Sequence, residues 1–180
     1  MKSPCSVWMA PRLPADECVS KILVPVDFSK ASADALRTAA LLAASRGLAD
    51  ITALHVYFDP AITTYDGRAE ALAVREARRF DRFLSASPRL DVEVRTVSVE
   101  SSNIPGTILR VAGEQAFDLI VMATRGRSAA AAMLLESVTG RVFAGSATAV
   151  LAVKNYGAYL GFFEALFDRK LWGRDEPTFG

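Results

Sequence analysis

The chain has one histidine, His55, and two cysteines, Cys5 and Cys18, among its 180 residues. That scarcity excludes a His/Cys zinc cluster and leaves any Ser-His-Asp or Cys-His site dependent on a single imidazole. Both cysteines precede the first periodic segment, in a stretch holding Pro4, Pro11 and Pro14, and are expected as free thiols on a loose arm. Charge of one sign is also missing: 21 lysines and arginines face 20 aspartates and glutamates, a net charge of +1. A nucleic-acid or anionic-membrane binder needs a basic surplus, so neither partner is expected. No apolar run approaches the roughly 20 residues that span a bilayer, and Met1 to Ser20 contains no signal-peptide core. The expectation is a cytoplasmic protein with no transmembrane segment.

From Lys21 onward, short apolar runs alternate with helix-length amphipathic ones, the pattern of strand-helix units on a parallel sheet. Ile22 to Val26 reads as a strand buried on both faces, ending at Asp27, Phe28 and Ser29 before a helix with Leu36, Ala39, Ala40 and Ala43 on one side. Gly47 closes that helix. Ile51 to Tyr57 is the second strand, and His55 within it is expected as a packed, hydrogen-bonded core histidine. The next helix places Ala69, Leu72, Ala73, Ala77, Phe80 and Leu84 inward. Its Arg75, Arg78, Arg79 and Arg82, interleaved with Glu70, Glu76 and Asp81, read as a solvated face. Val92 to Val97 has the half-exposed alternation of an edge strand. Asn103 and Pro105 start a third helix, Leu119 to Met122 is a fourth strand, a helix covers Ser137 to Ala144, and Ala149 to Val153 is the last strand. The expected fold is α/β, an open doubly wound five-stranded parallel sheet, divided into a flexible arm (1–20), a core domain (21–154) and a C-terminal extension (155–180).

Sheets of this kind bind ligands outside the carboxyl ends of their strands, where strand order reverses. Three loops are expected there, at Asp27, at Val56 to Asp59 and at Ala123 to Ser137. Asp27 is suited to accept hydrogen bonds from a ribose or an amide, or to cap the following helix. Gly126 allows close backbone approach, and Ser137 with Thr139 brings hydroxyls to a helix N-terminus. Neither a Walker A loop nor the Rossmann glycine fingerprint is present.

Four segments, ILVPVDFS at Ile22 to Ser29, LHV at Leu54 to Val56, DLIVMATRGRS running on to LLESVT at Asp118 to Thr139, and VLAVK at Val150 to Lys154, together resemble the universal stress protein family. The resemblance implies an adenine-nucleotide alpha-hydrolase-like, Rossmann-like fold with ATP or AMP, with or without Mg2+, in the cleft. It places Pro25, Asp27 and Val56 at the adenine and ribose, with Met122 and Ala123 beside them. Gly126, Ser137, Val138 and Thr139 would hold phosphates. The ATP-binding branch carries G-x-x-G-x9-G-[ST], which maps here onto Ala123, Gly126, Glu136 and Ser137, so two of the glycines are replaced. Ala123 adds a methyl beside the ligand path. Glu136 sets a carboxylate beside a triphosphate, which at about 4 Å and an effective dielectric near 20 costs roughly 4 kcal/mol per unit charge before screening. Arg125 and Arg127 flank the same loop and are either anion contacts or solvated side chains. The resemblance also implies a homodimer through the last strand, Ala149 to Val153.

Beyond Lys154, Tyr159, Phe162, Phe163, Leu166 and Phe167 fall on one apolar face of an amphipathic helix. That face is expected to dock on its own sheet or dimer mate, on a partner protein, or on a membrane surface. The leading function is a stress-response protein that binds an adenine nucleotide and signals as a dimer. Catalysis is not expected, because no histidine is available as a base; slow ATP hydrolysis or self-phosphorylation on Ser137 or Thr139 is the enzymatic variant. The alternative is a nucleotide-independent interaction module with a degenerate phosphate loop and a partner-binding tail.

Overall fold

A computed structural model describes residues 6–10, 19–58, 66–87, 90–124 and 138–154. In chain order these form β1 (Val7–Met9), β2 (Ile22–Pro25), α1 (Lys30–Ser45), β3 (Asp50–Tyr57), α2 (Asp66–Ser85), β4 (Glu93–Glu100), α3 (Ile104–Glu114), β5 (Leu119–Ala123), α4 (Val138–Gly145) and β6 (Ala149–Val153). The strands make one sheet in the order β1-β6-β5-β2-β3-β4. β2 to β6 run parallel, and β1 joins antiparallel.

The strict alternation of side chains along the central strands divides the interior into two layers. Ile22, Val24 and Val26 of the first run, Ile51 and Ala53 of β3, and Leu119 and Val121 of β5 meet α1 and Phe80 of α2. Leu23, Leu54, Val56, Ile120, Met122 and Val150 turn to the other face and meet α3 and α4. Each central strand is thus buried on both sides, as the continuous apolar runs require.

α1 begins where Ser29 accepts the amide of Ser32 at 3.1 Å. Its inward stripe, Ala35, Leu36, Ala39, Ala40 and Ala43, is nearly all alanine and fully enclosed, so the helix lies close to the sheet. α3 starts with Asn103 accepting from Gly106 N at 3.2 Å, with Pro105 in the first turn. α4 settles onto α3 at Gly145, where a Cβ would come within 2.9 Å of Leu109 Cδ1.

Two expectations are revised. The sheet has six strands rather than five, because Val7–Met9, inside the segment read as a flexible arm, pairs with β6 in the register Val7–Ala152, Trp8–Leu151 and Met9–Val150. The hydroxyl of Ser6 extends this pairing by accepting from Lys154 N at 3.1 Å. Ala149 to Val153 is therefore not an open edge available to a two-fold mate; the chain covers it with its own N-terminal strand, which satisfies backbone groups that an edge leaves unpaired. β4, at the other end, is the exposed edge strand the alternation predicted.

The inward face of α2 is the second revision. Ala77 is exposed, and Glu76, read as part of a solvated face, is 1% exposed and points at the sheet. The cause is Arg79 and Arg75, whose guanidinium groups lie 3.0 and 3.3 Å from that carboxylate and pair its charge, while His55 stands beside it on the same face of β3 as Ile51 and Ala53. Among the described residues no helix is long and apolar enough to cross a membrane. The residues of the C-terminal amphipathic face, Tyr159 to Phe167, lie outside the described residues.

Candidate functional site

The chain order β2, β3, β4 runs outward on one side of β2, and β5, β6 on the other. Strand order therefore reverses between β2 and β5, and the crevice of a doubly wound sheet opens at their carboxyl ends. β2 and β5 pair through Ile22–Leu119 and Leu23–Ile120. Counted on in the same register, Pro25 stands level with Met122, and Asp27 lies just beyond, facing the turn after Ala123.

The structure brings Pro25, Asp27, Ala123, Val138 and Thr139 to this end of the sheet. Pro25, Asp27 and Ala123 are half-buried, and Val138 opens α4 with its side chain exposed. The first amides of α4 lack intrahelical acceptors and carry the positive end of its dipole. Thr139 Oγ1 donates to Ala123 O at 2.8 Å, so its proton is spent on joining α4 to the end of β5. Thr124 N donates to Val153 O at 3.0 Å and carries the β5–β6 pairing to the lip of the crevice. Val56 and Met122 belong to the apolar layer under α3 and α4, and both side chains are buried there. Arg125, Gly126, Arg127, Glu136 and Ser137 lie outside the described residues.

Asp27 is held by a local turn. Its Oδ1 accepts from Ser29 N at 3.1 Å, while Ser29 itself caps α1. Between them Phe28 has a φ of 60°, in the left-handed region. For a bulky residue this conformation costs on the order of 1–2 kcal/mol, so it persists only where neighbours enforce it.

Those neighbours form a polar and aromatic cluster that the sequence reading did not assemble. The Phe28 ring lies 4.3 Å from the His55 ring and meets Phe80 and Phe83 edge-on at 5.1 and 5.5 Å. The guanidinium of Arg79 sits 4.5 Å over the same ring. His55 Nδ1 lies 2.7 Å from Val26 O. A carbonyl can only accept, so Nδ1 carries the proton and donates, and Nε2 presents its lone pair 3.6 Å from Glu76 Oε2. Glu76 is compensated by Arg79 NH1 at 3.0 Å to both oxygens and by Arg75 Nε at 3.3 Å. Burial pushes the His55 imidazole below its ordinary value; the Val26 hydrogen bond works against this, the charge of Arg79 reinforces it, and Glu76 and Asp27 oppose it. The signal available in sequence was that His55, the one histidine, falls on the inward parity of β3 while Glu76 and Phe80 share a helix face four residues apart.

At the amino ends of β2 and β5, Asp118 Oδ2 accepts from Ser20 N at 2.9 Å, Ser20 Oγ at 2.6 Å and Lys21 N at 2.9 Å. Partial burial would raise this carboxyl, but the three hydrogen bonds and the Lys21 charge hold it below the usual range. Among the described residues no cluster of His, Cys, Asp and Glu has the makings of a metal site.

The strand order, with its switch point between β2 and β5, defines an open doubly wound α/β protein. Residues 19–154 match the family model for the universal stress protein family, and the chain belongs to that family. Among solved structures it is similar to the universal stress protein UspA from Lactobacillus plantarum, at 26% identity and a TM-score of 0.57, over 77% of this chain and 99% of that one. It is likewise similar to a universal stress protein family member from Burkholderia pseudomallei, at 27% identity and a TM-score of 0.54, over 75% of this chain and 96% of the other. A universal stress protein determined in complex with cAMP shares the fold at 23% identity and a TM-score of 0.50, over 74% of this chain and 95% of that one. A search of curated proteins finds no match to this chain.

Proposed function

We propose that this universal stress protein binds an adenine nucleotide in the crevice between β2 and β5, and that it acts by binding rather than by chemistry. The observation that carries this reading is the meeting of Pro25 and Asp27, at the head of β2, with the N-terminus of α4 behind Ala123. A half-buried carboxylate suits a ribose or an amide, and helix amides with a positive dipole suit a phosphate. Among the described residues, this acceptor and these amide donors suit a nucleotide's two ends. The cAMP complex of a protein with the same fold supports the ligand class.

Glu136 lies outside the described residues; the family pattern sets its carboxylate beside a triphosphate, which favours AMP over ATP. A magnesium ion, if bound, would screen that repulsion and would be held by phosphate oxygens and Glu136. Among the described residues, His55 is enclosed and donates its Nδ1 proton to Val26 O, and the hydroxyl of Thr139 is engaged with Ala123 O, which favours binding over catalysis. A β6-to-β6 dimer would need β1 to leave the edge. The second reading, a nucleotide-independent interaction module, is favoured by that engagement of Thr139, which withdraws one phosphate donor. The aromatic face from Tyr159 to Phe167 would then carry the partner site.

Calorimetric titration with AMP, ADP and ATP, each with and without magnesium, decides between them. Micromolar binding with AMP at least as tight as ATP supports the nucleotide reading. Absence of heat for all three overturns it in favour of the interaction module.

A further inference from the structure

We propose that His55 and Glu76 are positioning residues for the crevice: from β3 and α2 they fix the Val26–Ser29 turn, and through it they set where Asp27 stands. This inference rests on the nucleotide reading for its functional consequence, while the positioning itself is independent of any ligand.

The turn is pinned on both sides of Asp27. Before it, Val26 N donates to Leu54 O at 2.8 Å, and Val26 O accepts from His55 Nδ1 at 2.7 Å, so both backbone groups of Val26 are tied to β3. After it, Phe28 adopts a left-handed backbone that its own type disfavours, and its ring is clasped by His55, Phe80, Phe83 and Arg79. Every one of these restraints comes from β3 or α2. β5 and α4 stand on the other side of the strand-order switch point.

Glu76 is the keystone of the clasp. It is 1% exposed, orients Arg79 over Phe28 through contacts of 3.0 Å to each carboxylate oxygen, and stands 3.6 Å from the Nε2 of His55. A carboxylate taken out of water and matched by two arginines is a costly arrangement for stability alone, since an apolar residue would fill the same space without desolvation. Its location under a strained turn at the ligand end of the sheet accounts for what the arrangement does. It preorganises Asp27 through residues that never touch the ligand.

The test compares His55→Leu, which deletes the bond to Val26, with His55→Asn, whose side-chain amide can still donate to that carbonyl, and with Phe28→Gly, which releases the left-handed residue and removes the clasped ring. AMP affinity is measured by calorimetry on the full chain, and the backbone amide signals of residues 26–29 by 15N–1H correlation spectra without ligand. Thermal melts establish that each variant is folded. The expected result is AMP binding weakened about tenfold in His55→Leu and Phe28→Gly, the scale of one lost buried hydrogen bond. His55→Asn should stay close to wild type, and the turn's amide signals should move only in His55→Leu and Phe28→Gly. Wild-type affinity in His55→Leu, or unmoved amide signals, overturns the inference. If the wild-type chain binds no AMP, the nucleotide reading fails on its own, and the amide signals still decide: moved, they support the positioning role; unmoved, they refute it.

Discussion

Thr139 Oγ1 donates to Ala123 O at 2.8 Å and links the start of α4 to the end of β5. The bond closes the crevice wall that faces Asp27 and ties the helix N-terminus to the strand it follows. Thr139→Val keeps the shape and leaves the Ala123 carbonyl short of a partner, which costs about 1 kcal/mol. A denaturation midpoint lowered by that amount is expected, with Thr139→Ser restoring it. Equal midpoints for the Val and Thr forms would show that water replaces the hydroxyl and that the link holds nothing.

Acid should destabilise the fold in two separable windows. The folded-state value of His55 lies below 6.5, so the unfolded chain takes up this proton first as pH falls. Its contribution is therefore complete above that value and is lost as pH drops through the folded value. Asp118 behaves alike around its lower range: held below 3.8 by Ser20 and Lys21, it stabilises above that value and loses this as it is protonated. Urea midpoints measured from pH 8 to pH 3 should fall on acidification. His55→Asn should flatten the upper part of the curve and Asp118→Asn the lower part. A stability that rises between pH 7 and pH 5 would reverse the sign assigned to His55.

The parts of this molecule that sequence makes legible are those governed by periodicity. Ile22 to Val26, Ile51 to Tyr57 and Leu119 to Met122 announce buried parallel strands because both faces must be apolar, and Val92 to Val97 announces an edge because one face need not be. β1 escapes this logic: three residues, Val7, Trp8 and Met9, are too few for a period, and their pairing with residues 150–152 is a tertiary fact. Glu76 escapes it for another reason. Hydropathy assigns a glutamate to water, and the placement of Arg75 and Arg79 around it reverses that assignment. Phe28 is the third case, since a left-handed phenylalanine is disfavoured locally and is imposed by residues 27 and more positions away. At the site, the head of β2 and the start of α4 follow from the strand ends, whereas the clasp that supports them had no local signature.

Close approach of α1 to the sheet rests on small side chains, and Ala39, with no exposure at all, sits at its centre. Ala39→Leu adds three carbons where the layer has no room, and overpacking of this kind costs about 1–3 kcal/mol. Thermal melts should show a midpoint several degrees lower, whereas the reverse change at the exposed Leu41, to Ala, should leave the midpoint almost unmoved. An Ala39→Leu protein as stable as wild type would mean that α1 can lift off the sheet at little cost.

The remaining prediction concerns the edge that β1 occupies. β6 carries Val150, Leu151 and Val153, and without β1 it would offer a row of unpaired amides and carbonyls beside apolar side chains. β1 itself is short and shows Trp8 to solvent at 47% exposure, so its hold on β6 depends on a few backbone bonds and on Ser6 meeting Lys154. In an antiparallel pair, adjacent residues point their N–H groups in opposite directions. The double change Val7→Pro with Trp8→Pro therefore removes at least one ladder donor whichever residue supplies it, and it opposes pairing from both. The freed β6 should then take up a second copy, and light scattering after size-exclusion chromatography should find a concentration-dependent dimer that the unchanged chain forms less readily. If the two proteins have the same mass at every concentration, β1 is not what guards this edge.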